Sequence, residues 1–186
     1  MGGSFNPAHD GHRHISLEAL KRLGLDEVWW LVAPQNPLKP EVGMAVLSQR
    51  LKQAAATAHH PRIRVLDLET RLGTRYTADT IAALQARYPR TTFVWLMGAD
   101  NLAQIRHWKN WRSIFKSVAI AVFARPTYCQ NALAGLAAKR FAQARIAPPG
   151  QRLSRLDPPV WIFLPVKLDP SSATAIRSRE GASSIR

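Results

Sequence analysis

The stretch Gly2-Gly3-Ser4-Phe5-Asn6-Pro7-Ala8-His9-Asp10-Gly11-His12 leads directly into an amphipathic segment, residues 13–23, that we expect to be a helix. The glycine pair lets backbone amides approach a ligand closely, and Asn6-Pro7 turns the chain. The first N–H groups of a helix have no internal partner and lie at the positive end of its dipole, so they attract anions. This stretch therefore predicts a loop and helix start that bind phosphates.

Two histidines, His9 and His12, stand three residues apart at the predicted helix start. Imidazoles at this spacing share one helix face and can contact the same polyphosphate. The alternatives are a pair of structural turn histidines and half of a metal site. A zinc site would need further ligands, but His59-His60 is distant and Cys129 stands alone. We therefore expect phosphate donors here and no metal ligated by the protein.

Short apolar runs alternate with helical segments along the rest of the chain. Strands are predicted at residues 28–33, 63–66, 92–96, 118–123 and 160–164, and further helices at residues 47–58, 77–88, 132–144 and 174–179. Continuous apolar runs of this length are typical of strands buried on both faces. We therefore expect an α/β fold, a Rossmann-like doubly wound parallel sheet with helices on both faces. Its ligands should lie beyond the carboxyl ends of the strands.

The composition is that of a globular protein. Of 186 residues, 46% are hydrophobic and 20% are charged, which suits one domain with a sizeable core. No apolar run approaches the length of a membrane span, so we expect no membrane partner. The single cysteine, Cys129, allows no internal disulfide and fits a reducing, cytoplasmic location.

The charge is the one unusual feature of the composition. A formal net charge of +14 and a pI near 11.2 would by themselves suggest a nucleic acid or an acidic membrane as partner. The basic residues are spread in short groups, and we interpret most of them, Arg50 and Lys52 included, as solvated. A positive field also attracts small polyanions, so charge alone does not separate an enzyme from a nucleic-acid-binding protein.

The pattern Gly-Ser-Phe-Asn-Pro-x-His-x-Gly-His, residues 3–12, resembles the signature of the nucleotidyltransferase superfamily as carried by bacterial nicotinate-nucleotide adenylyltransferases. The resemblance implies adenylyl transfer from ATP to nicotinate mononucleotide, giving deamido-NAD and pyrophosphate. It also implies a magnesium ion held mainly through the ATP phosphates. By this resemblance the ATP-binding residues of the loop are Gly3, Ser4, Phe5, His9 and His12. His9 and His12 would be catalytic, with His12 nearest the reacting phosphoryl group.

Two further segments extend the resemblance. Residues 97–111 are similar to the family's Gly-x-Asp-x-Leu…Trp segment, which implies that Asp100 lies in the nucleotide site and that Trp108 covers the nicotinate ring. Residues 76–80 resemble its Tyr-Thr-x-x-Thr segment, where Thr77 would help hold the nicotinate carboxylate. From the residues alone, Asp100 and Thr77 are equally well explained as helix N-caps. The alternative for Trp108 is core packing, but its polar and charged neighbours favour a loop or a helix end.

The last motif lies near the end of the chain. Residues 172–177 resemble the family's Ser-Ser-Thr-x-Ile-Arg, which implies that Ser172, Thr174 and Arg177 bind ATP and that Arg177 is catalytic. Ser171 stands where the family has a branched apolar residue, a departure that concerns packing. Lys39 would clamp the mononucleotide phosphate, although Leu38 replaces the histidine that many relatives carry.

Several alternatives remain open at this point. A sister transferase would act on nicotinamide mononucleotide, phosphopantetheine or an alcohol phosphate, and a protein of another class would bind nucleic acid on the same scaffold. We expect a single nucleotidyltransferase domain, residues 1–186, truncated at both ends, because only Met1 precedes Gly2 where a central strand is expected. Such a chain should be unstable or inactive. A homo-oligomer is compatible with the sequence, and we expect no specific nucleic-acid partner.

Overall fold

A computed structural model describes residues 1–34, 43–125, 127–148 and 153–166 of the chain. Its strands are β1 (Gly2–Gly3), β2 (Val28–Val32), β3 (Ile63–Leu66), β4 (Val94–Gly98), β5 (Ala119–Phe123), β6 (Arg145–Ile146) and β7 (Trp161–Leu164). Its α-helices are α1 (Asp10–Arg22), α2 (Leu47–Ala58), α3 (Leu68–Leu72), α4 (Thr77–Arg87), α5 (Ala99–Gln104), α6 (Trp111–Ser117), α7 (Cys129–Ala134) and α8 (Leu136–Arg140). Single 3₁₀ turns are formed by Ile105–His107, Ala142–Ala144 and Leu153–Arg155.

All strand pairs are parallel, as the alternation of strands and helices predicted. Hydrogen bonds join the strands into two sheets, in the orders β1-β2-β3 and β4-β5-β7-β6. β1 is adjacent to β4 as well, because a Cβ atom on Gly2 would lie 3.0 Å from the Trp95 ring. Parallel strands end at one edge of a sheet, so the segments that follow β1, β2, β4 and β5 can contribute to one site.

The two sheets share a core on each face. Residues alternate along each strand between two apolar clusters, which is the pattern of a sheet covered on both sides. One cluster contains Trp30 and Val32 of β2, Leu96 of β4 and Ala121 of β5, together with residues of α1 and α2. The other contains Leu31, Trp95, Met97, Ile120 and Val122, together with residues of α4, α5 and α6. The predicted α/β fold with helices on both faces is confirmed.

Most predicted elements are present, and the structure also contains α3, α6 and β6, which were not predicted. α2 and β3 have the predicted bounds, whereas β4 begins two residues later than expected. The helix predicted for residues 132–144 is divided at Gly135, whose extended backbone ends α7 and begins α8. A Cβ atom at Gly135 would lie 3.2 Å from two carbonyl oxygens of α7, so this close approach favours glycine. The helix predicted for residues 174–179 lies outside the described residues.

The expectation that the first strand is missing is modified by the structure. Gly2 and Gly3 form a two-residue strand paired with Leu31 and Val32. A groove of about 560 Å³ lies beside it, lined by the amino-terminal parts of β2 and β4.

Within the described residues, no helix combines the length and the apolar character needed to cross a membrane.

Candidate active site

The loop after β1 is anchored by its aromatic residue. Phe5 has a left-handed backbone conformation, with φ of 45°, and its side chain is 2% exposed. Its ring stacks on Trp30, with ring centroids 5.1 Å apart, and contacts the His12 ring at 4.8 Å. Burial of the aromatic ring offsets the cost of this uncommon backbone conformation. Phe5 thus contributes a side chain to the core while its backbone shapes the loop.

His9 and His12 come together at the start of α1, as their spacing predicted. His9 is the N-cap, and the two ring centroids are 3.8 Å apart. The His9 backbone N–H donates to His12 Nδ1 at 3.2 Å. Because Nδ1 acts as the acceptor, a neutral His12 carries its proton on Nε2. The local backbone therefore selects the tautomer that presents Nε2–H as a hydrogen-bond donor.

A buried arginine holds the loop against the neighbouring strand and helix. The Arg50 guanidinium donates to the carbonyl oxygens of Ser4 and Ala33 at 2.7 Å each, of Ala45 at 2.8 Å and of Pro34 at 2.9 Å. Arg50 is 1% exposed, and burial lowers the pKa of its guanidinium. The prediction that Arg50 is solvated was wrong, because its guanidinium donates four hydrogen bonds to carbonyls from three chain segments.

Asn6 adds a second connection between the loop and the segment before α2. Its side-chain amide donates to the Gly43 carbonyl at 2.9 Å, and its side-chain carbonyl accepts from the Ala45 N–H at 3.1 Å. This two-point contact mimics a pair of backbone hydrogen bonds. Asn6 and Arg50 thus fix where the loop lies relative to the amino end of α2.

Asp100 lies at the carboxyl end of β4 and is paired with Arg125, just beyond β5. The Arg125 Nη1 atom is 2.7 Å from Asp100 Oδ2. Gly98 is the N-cap of α5 and Asp100 is its second residue, so the N-cap interpretation of Asp100 is wrong. The sequence motifs did not indicate Arg125, although it follows β5 as Asp100 follows β4. Two residues at equivalent strand ends were the signal.

Thr77 and Trp108 lie on segments that meet through a lysine. Tyr76 is the N-cap of α4 and Thr77 its first residue, so the N-cap interpretation of Thr77 is wrong as well. Lys109, next to Trp108, pairs with Asp79 at 3.1 Å and lies over the Tyr76 ring at 4.6 Å. Trp108 itself is only partly buried, unlike Trp30, Trp95 and Trp111, which are in the core.

The first turn of α4 is hydrogen-bonded to a buried carboxyl group, that of Glu69 in α3. Thr80 is fully buried and donates to Glu69 Oε1 at 3.3 Å, with Thr74 Oγ1 2.9 Å away. Burial raises the pKa of Glu69 to about 7, against smaller opposing effects of Thr80 and the Met1 amino group. No sequence signal marked Glu69, because an isolated Glu in a short helix reads as a surface residue.

Four predicted site residues lie outside the described residues: Lys39, Ser172, Thr174 and Arg177. The remaining ones fall into three groups, of which the first two directly follow strands. Gly3, Ser4, Phe5, His9 and His12 follow β1; Asp100 follows β4; Thr77 and Trp108 lie on segments joined by Lys109. Hydrogen-bond donors at a helix start, a carboxylate and a partly exposed indole are the groups needed to bind a phosphorylated aromatic nucleotide.

Comparison with known families shows the broad class of protein to which this chain belongs. The model of the cytidylyltransferase-like family matches residues 1–179, nearly the whole chain. The parallel α/β architecture and the loop that leads from β1 into α1 agree with that class, whose members are nucleotidyltransferases.

Individual relatives show to which family within this class the chain belongs. A protein of Cereibacter sphaeroides named "probable nicotinate-nucleotide adenylyltransferase" is 52% identical over 178 residues, which cover 96% of this chain and 95% of that protein. A protein of the same name from Roseobacter denitrificans is 53% identical over 184 residues, covering 97% and 91%. The chain belongs to the nicotinate-nucleotide adenylyltransferase family of enzymes.

A solved structure supports the fold independently. The Plasmodium falciparum nicotinic acid mononucleotide adenylyltransferase complexed with NaAD superposes with a TM-score of 0.70 over 95% of this chain and 80% of that one. The two sequences are 16% identical, so this likeness concerns the fold alone.

Proposed function

We propose that the protein transfers the adenylyl group of ATP to nicotinate mononucleotide, forming deamido-NAD and pyrophosphate in NAD biosynthesis. The observation that carries this proposal is the histidine pair at the start of α1, with its rings 3.8 Å apart and His12 Nδ1 accepting from the His9 N–H. Family membership supplies the substrate class. The helix start supplies backbone donors for phosphate oxygens.

The reaction needs no covalent enzyme intermediate, because the mononucleotide phosphate is itself the nucleophile. One of its oxygens forms a bond to the α-phosphorus of ATP while the bond from that phosphorus to the pyrophosphate oxygen breaks. His12, as the neutral Nε2–H tautomer, would donate to the phosphoryl oxygens on which charge builds. Alignment of the two substrates could contribute several kcal/mol, up to roughly 7–11 in intramolecular analogues.

The other site residues are assigned roles on the same basis. We propose that Asp100 accepts hydrogen bonds from the ATP ribose, and that Thr77 and Trp108 hold the carboxylate and ring of nicotinate. A flat indole face stabilises a stacked ring by roughly 0.5–1.5 kcal/mol beyond area burial. Lys39, Ser172, Thr174 and Arg177 keep the phosphate-binding roles that the family resemblance implies.

Magnesium would enter with ATP rather than through a protein cage. The described residues contain no cluster of three or more His, Cys, Asp or Glu side chains placed to hold a metal ion. Magnesium prefers phosphate oxygens and water to such cages in nucleotide-dependent enzymes, and it would neutralise phosphate charge. We further propose that residues 1–186 form one nucleotidyltransferase domain that acts in the cytoplasm.

The test is pyrophosphate release from ATP with three acceptors, nicotinate mononucleotide, nicotinamide mononucleotide and phosphopantetheine, and without any acceptor. We expect release above background with nicotinate mononucleotide and much less with the others. Preference for either alternative acceptor would replace the proposed substrate. Retention on DNA that is lost at modest salt, with no pyrophosphate release, would instead indicate the nucleic-acid-binding alternative.

A further inference from the structure

We propose that Arg125 is a positioning residue of the nucleotide site: it holds Asp100 by one carboxylate oxygen and so presents the other to a hydroxyl group of the ATP ribose. This inference rests on the proposed function, in which ATP is the donor substrate. It adds a residue that neither the motifs nor the family resemblance assigned.

The backbone around Arg125 is fixed by its neighbours. The Ala124 N–H donates to the Leu164 carbonyl at 2.9 Å, which extends the pairing of β5 and β7 by one residue. The Arg125 carbonyl accepts from the Tyr128 N–H at 3.2 Å and from the Cys129 thiol at 3.3 Å. Arg125 therefore leaves a well-paired strand and enters a turn at the start of α7. Its guanidinium is delivered to the carboxyl end of β4 by rigid elements.

The two oxygens of the Asp100 carboxylate have different surroundings. Oδ2 accepts from Arg125 Nη1 at 2.7 Å, which is the length of a charge-assisted hydrogen bond. Oδ1 is buried and has no hydrogen-bond partner within the described residues. A buried acceptor on a charged group is costly to leave unmade, so Oδ1 calls for a donor. A ribose hydroxyl is a donor of the required kind.

Gly98 keeps the space that this arrangement needs. A Cβ atom added to Gly98 would overlap Asp100 Oδ1 and would lie 3.9 Å from the Arg125 Cδ atom. The backbone φ of Gly98 is −79°, which any residue can adopt. The glycine is therefore required by the carboxylate that folds back over it. Gly98, Asp100 and Arg125 form one unit at the ends of two adjacent strands.

The charge of Arg125 serves position more than affinity for phosphate. Its side chain is 35% exposed and that of Asp100 is 17% exposed, so the pair lies at the sheet edge, where the nucleotide is proposed to bind. With Nη1 committed to Oδ2, the guanidinium restricts rotation of the carboxylate. A pre-positioned acceptor binds a hydroxyl more tightly than one that must first be ordered.

The test is a double-mutant cycle read by equilibrium binding of ATP, 2′-deoxyATP and 3′-deoxyATP, without acceptor. The proteins are wild type, Arg125→Gln, Asp100→Asn, the double variant and Arg125→Lys. Arg71→Gln is the matched control, because Arg71 makes a 2.8 Å pair with Asp67 on the exposed part of α3. Melting temperatures are recorded for all, and the KM for nicotinate mononucleotide is measured separately.

We expect Arg125→Gln to weaken ATP binding on the order of tenfold, as for loss of a hydrogen bond to a charged group. In the Asp100→Asn background, Arg125→Gln should weaken ATP binding by less than about twofold, because Arg125 acts through Asp100. Discrimination against one of the deoxynucleotides should fall in parallel. Arg125→Lys should weaken ATP binding less than Arg125→Gln does. Arg71→Gln should bind ATP as the wild type does, and the KM for the mononucleotide should be the same in all variants.

The inference would be overturned if Arg125→Gln weakened ATP binding equally in the wild-type and Asp100→Asn backgrounds. It would also be overturned if only mononucleotide binding were weakened, or if Arg71→Gln weakened ATP binding as much. Unchanged deoxynucleotide discrimination would mean that Oδ1 serves only a structural water. If the cycle couples but no adenylyl group reaches nicotinate mononucleotide, the inference stands and the proposed acceptor fails. If transfer is normal but the cycle is additive, the inference alone fails.

Discussion

At the scale of single residues, the catalytic proposal depends on His12. Its Nδ1 atom accepts from the His9 N–H, and its ring is held by Phe5 at 4.8 Å and Trp30 at 5.9 Å. A proton on Nδ1 would break this hydrogen bond, so the geometry favours a neutral His12 that donates through Nε2.

We predict that His12→Ala lowers kcat by about two to three orders of magnitude and leaves the affinity for nicotinate mononucleotide nearly intact. The reason is that a donor aimed at developing phosphoryl charge acts on the transition state more than on substrate binding. The measurement is steady-state pyrophosphate release. The control is His59→Asn, which removes an exposed imidazole from a left-handed position that Asn tolerates. A large loss of mononucleotide affinity would contradict the role.

Glu69 gives a second prediction at this scale. The pKa of its carboxyl is raised from 4.5 to about 7 by burial, so the folded chain holds a proton that the unfolded chain has lost between these values. The contribution of Glu69 to stability should therefore fall as the pH rises through this window, whereas that of the Met1 amino group, whose pKa burial lowers to about 5, should rise over the upper part of it. Glu69→Gln should remove that fall, making the variant relatively more stable at pH 8 than at pH 5, by up to about 3 kcal/mol.

Urea denaturation of both proteins across this pH range measures the effect. Asp26→Asn, which neutralises an exposed carboxylate in the turn before β2, is the control and should follow the wild-type curve. Parallel curves for wild type and Glu69→Gln would show that the Glu69 carboxyl titrates normally.

At the scale of elements, the site depends on how α2 is attached to the loop after β1. Arg50 projects from α2 to carbonyls at the loop, at the end of β2 and before α2 itself. The loop after β1, the segment after β2 and the segment before α2 are thus hydrogen-bonded to one guanidinium. A buried cation with four carbonyl acceptors fixes relative positions more rigidly than apolar packing, because each hydrogen bond has a direction.

We predict that Arg50→Lys lowers the free energy of unfolding by at least about 2 kcal/mol and also lowers kcat. Lysine keeps the charge but has a single ammonium group, which cannot reach carbonyls spread over three segments. Urea denaturation and pyrophosphate release measure the two effects. Arg87→Lys, an exposed change on α4, is the matched control and should leave both quantities within error. Unchanged stability of the Arg50 variant would contradict the role of the guanidinium fork.

At the scale of the whole molecule, the net charge of +14 creates a positive field around a site for polyanions. We predict that the KM for ATP rises severalfold between about 50 and 500 mM NaCl while kcat changes little, because salt screens attraction more than chemistry. Sucrose at matched osmolality is the control. A KM that is independent of salt would mean that local contacts alone bind the nucleotide.

The helix and strand pattern was predictable because it depends on periodicity over neighbouring residues. α2, β3 and the histidine pair at the start of α1 match the sequence predictions. The division of the helix predicted for residues 132–144 was not foreseen, because alanine-rich sequence favours a helix and the close approach of backbone carbonyls at Gly135 is a tertiary feature. Local preference predicted the elements, and packing decided where this one breaks.

By itself, the sequence determined an α/β chain with an anion-binding helix start, since the groups that form it lie within a few residues of one another. Only the tertiary structure decided the burial of Arg50 and the pairing of Arg125 with Asp100. Arg50 binds Ser4 across 46 residues, and Arg125 meets Asp100 across 25 residues because β4 and β5 are adjacent. Strand order arises from the packing of all the elements together, and no local pattern encodes which strand ends become neighbours.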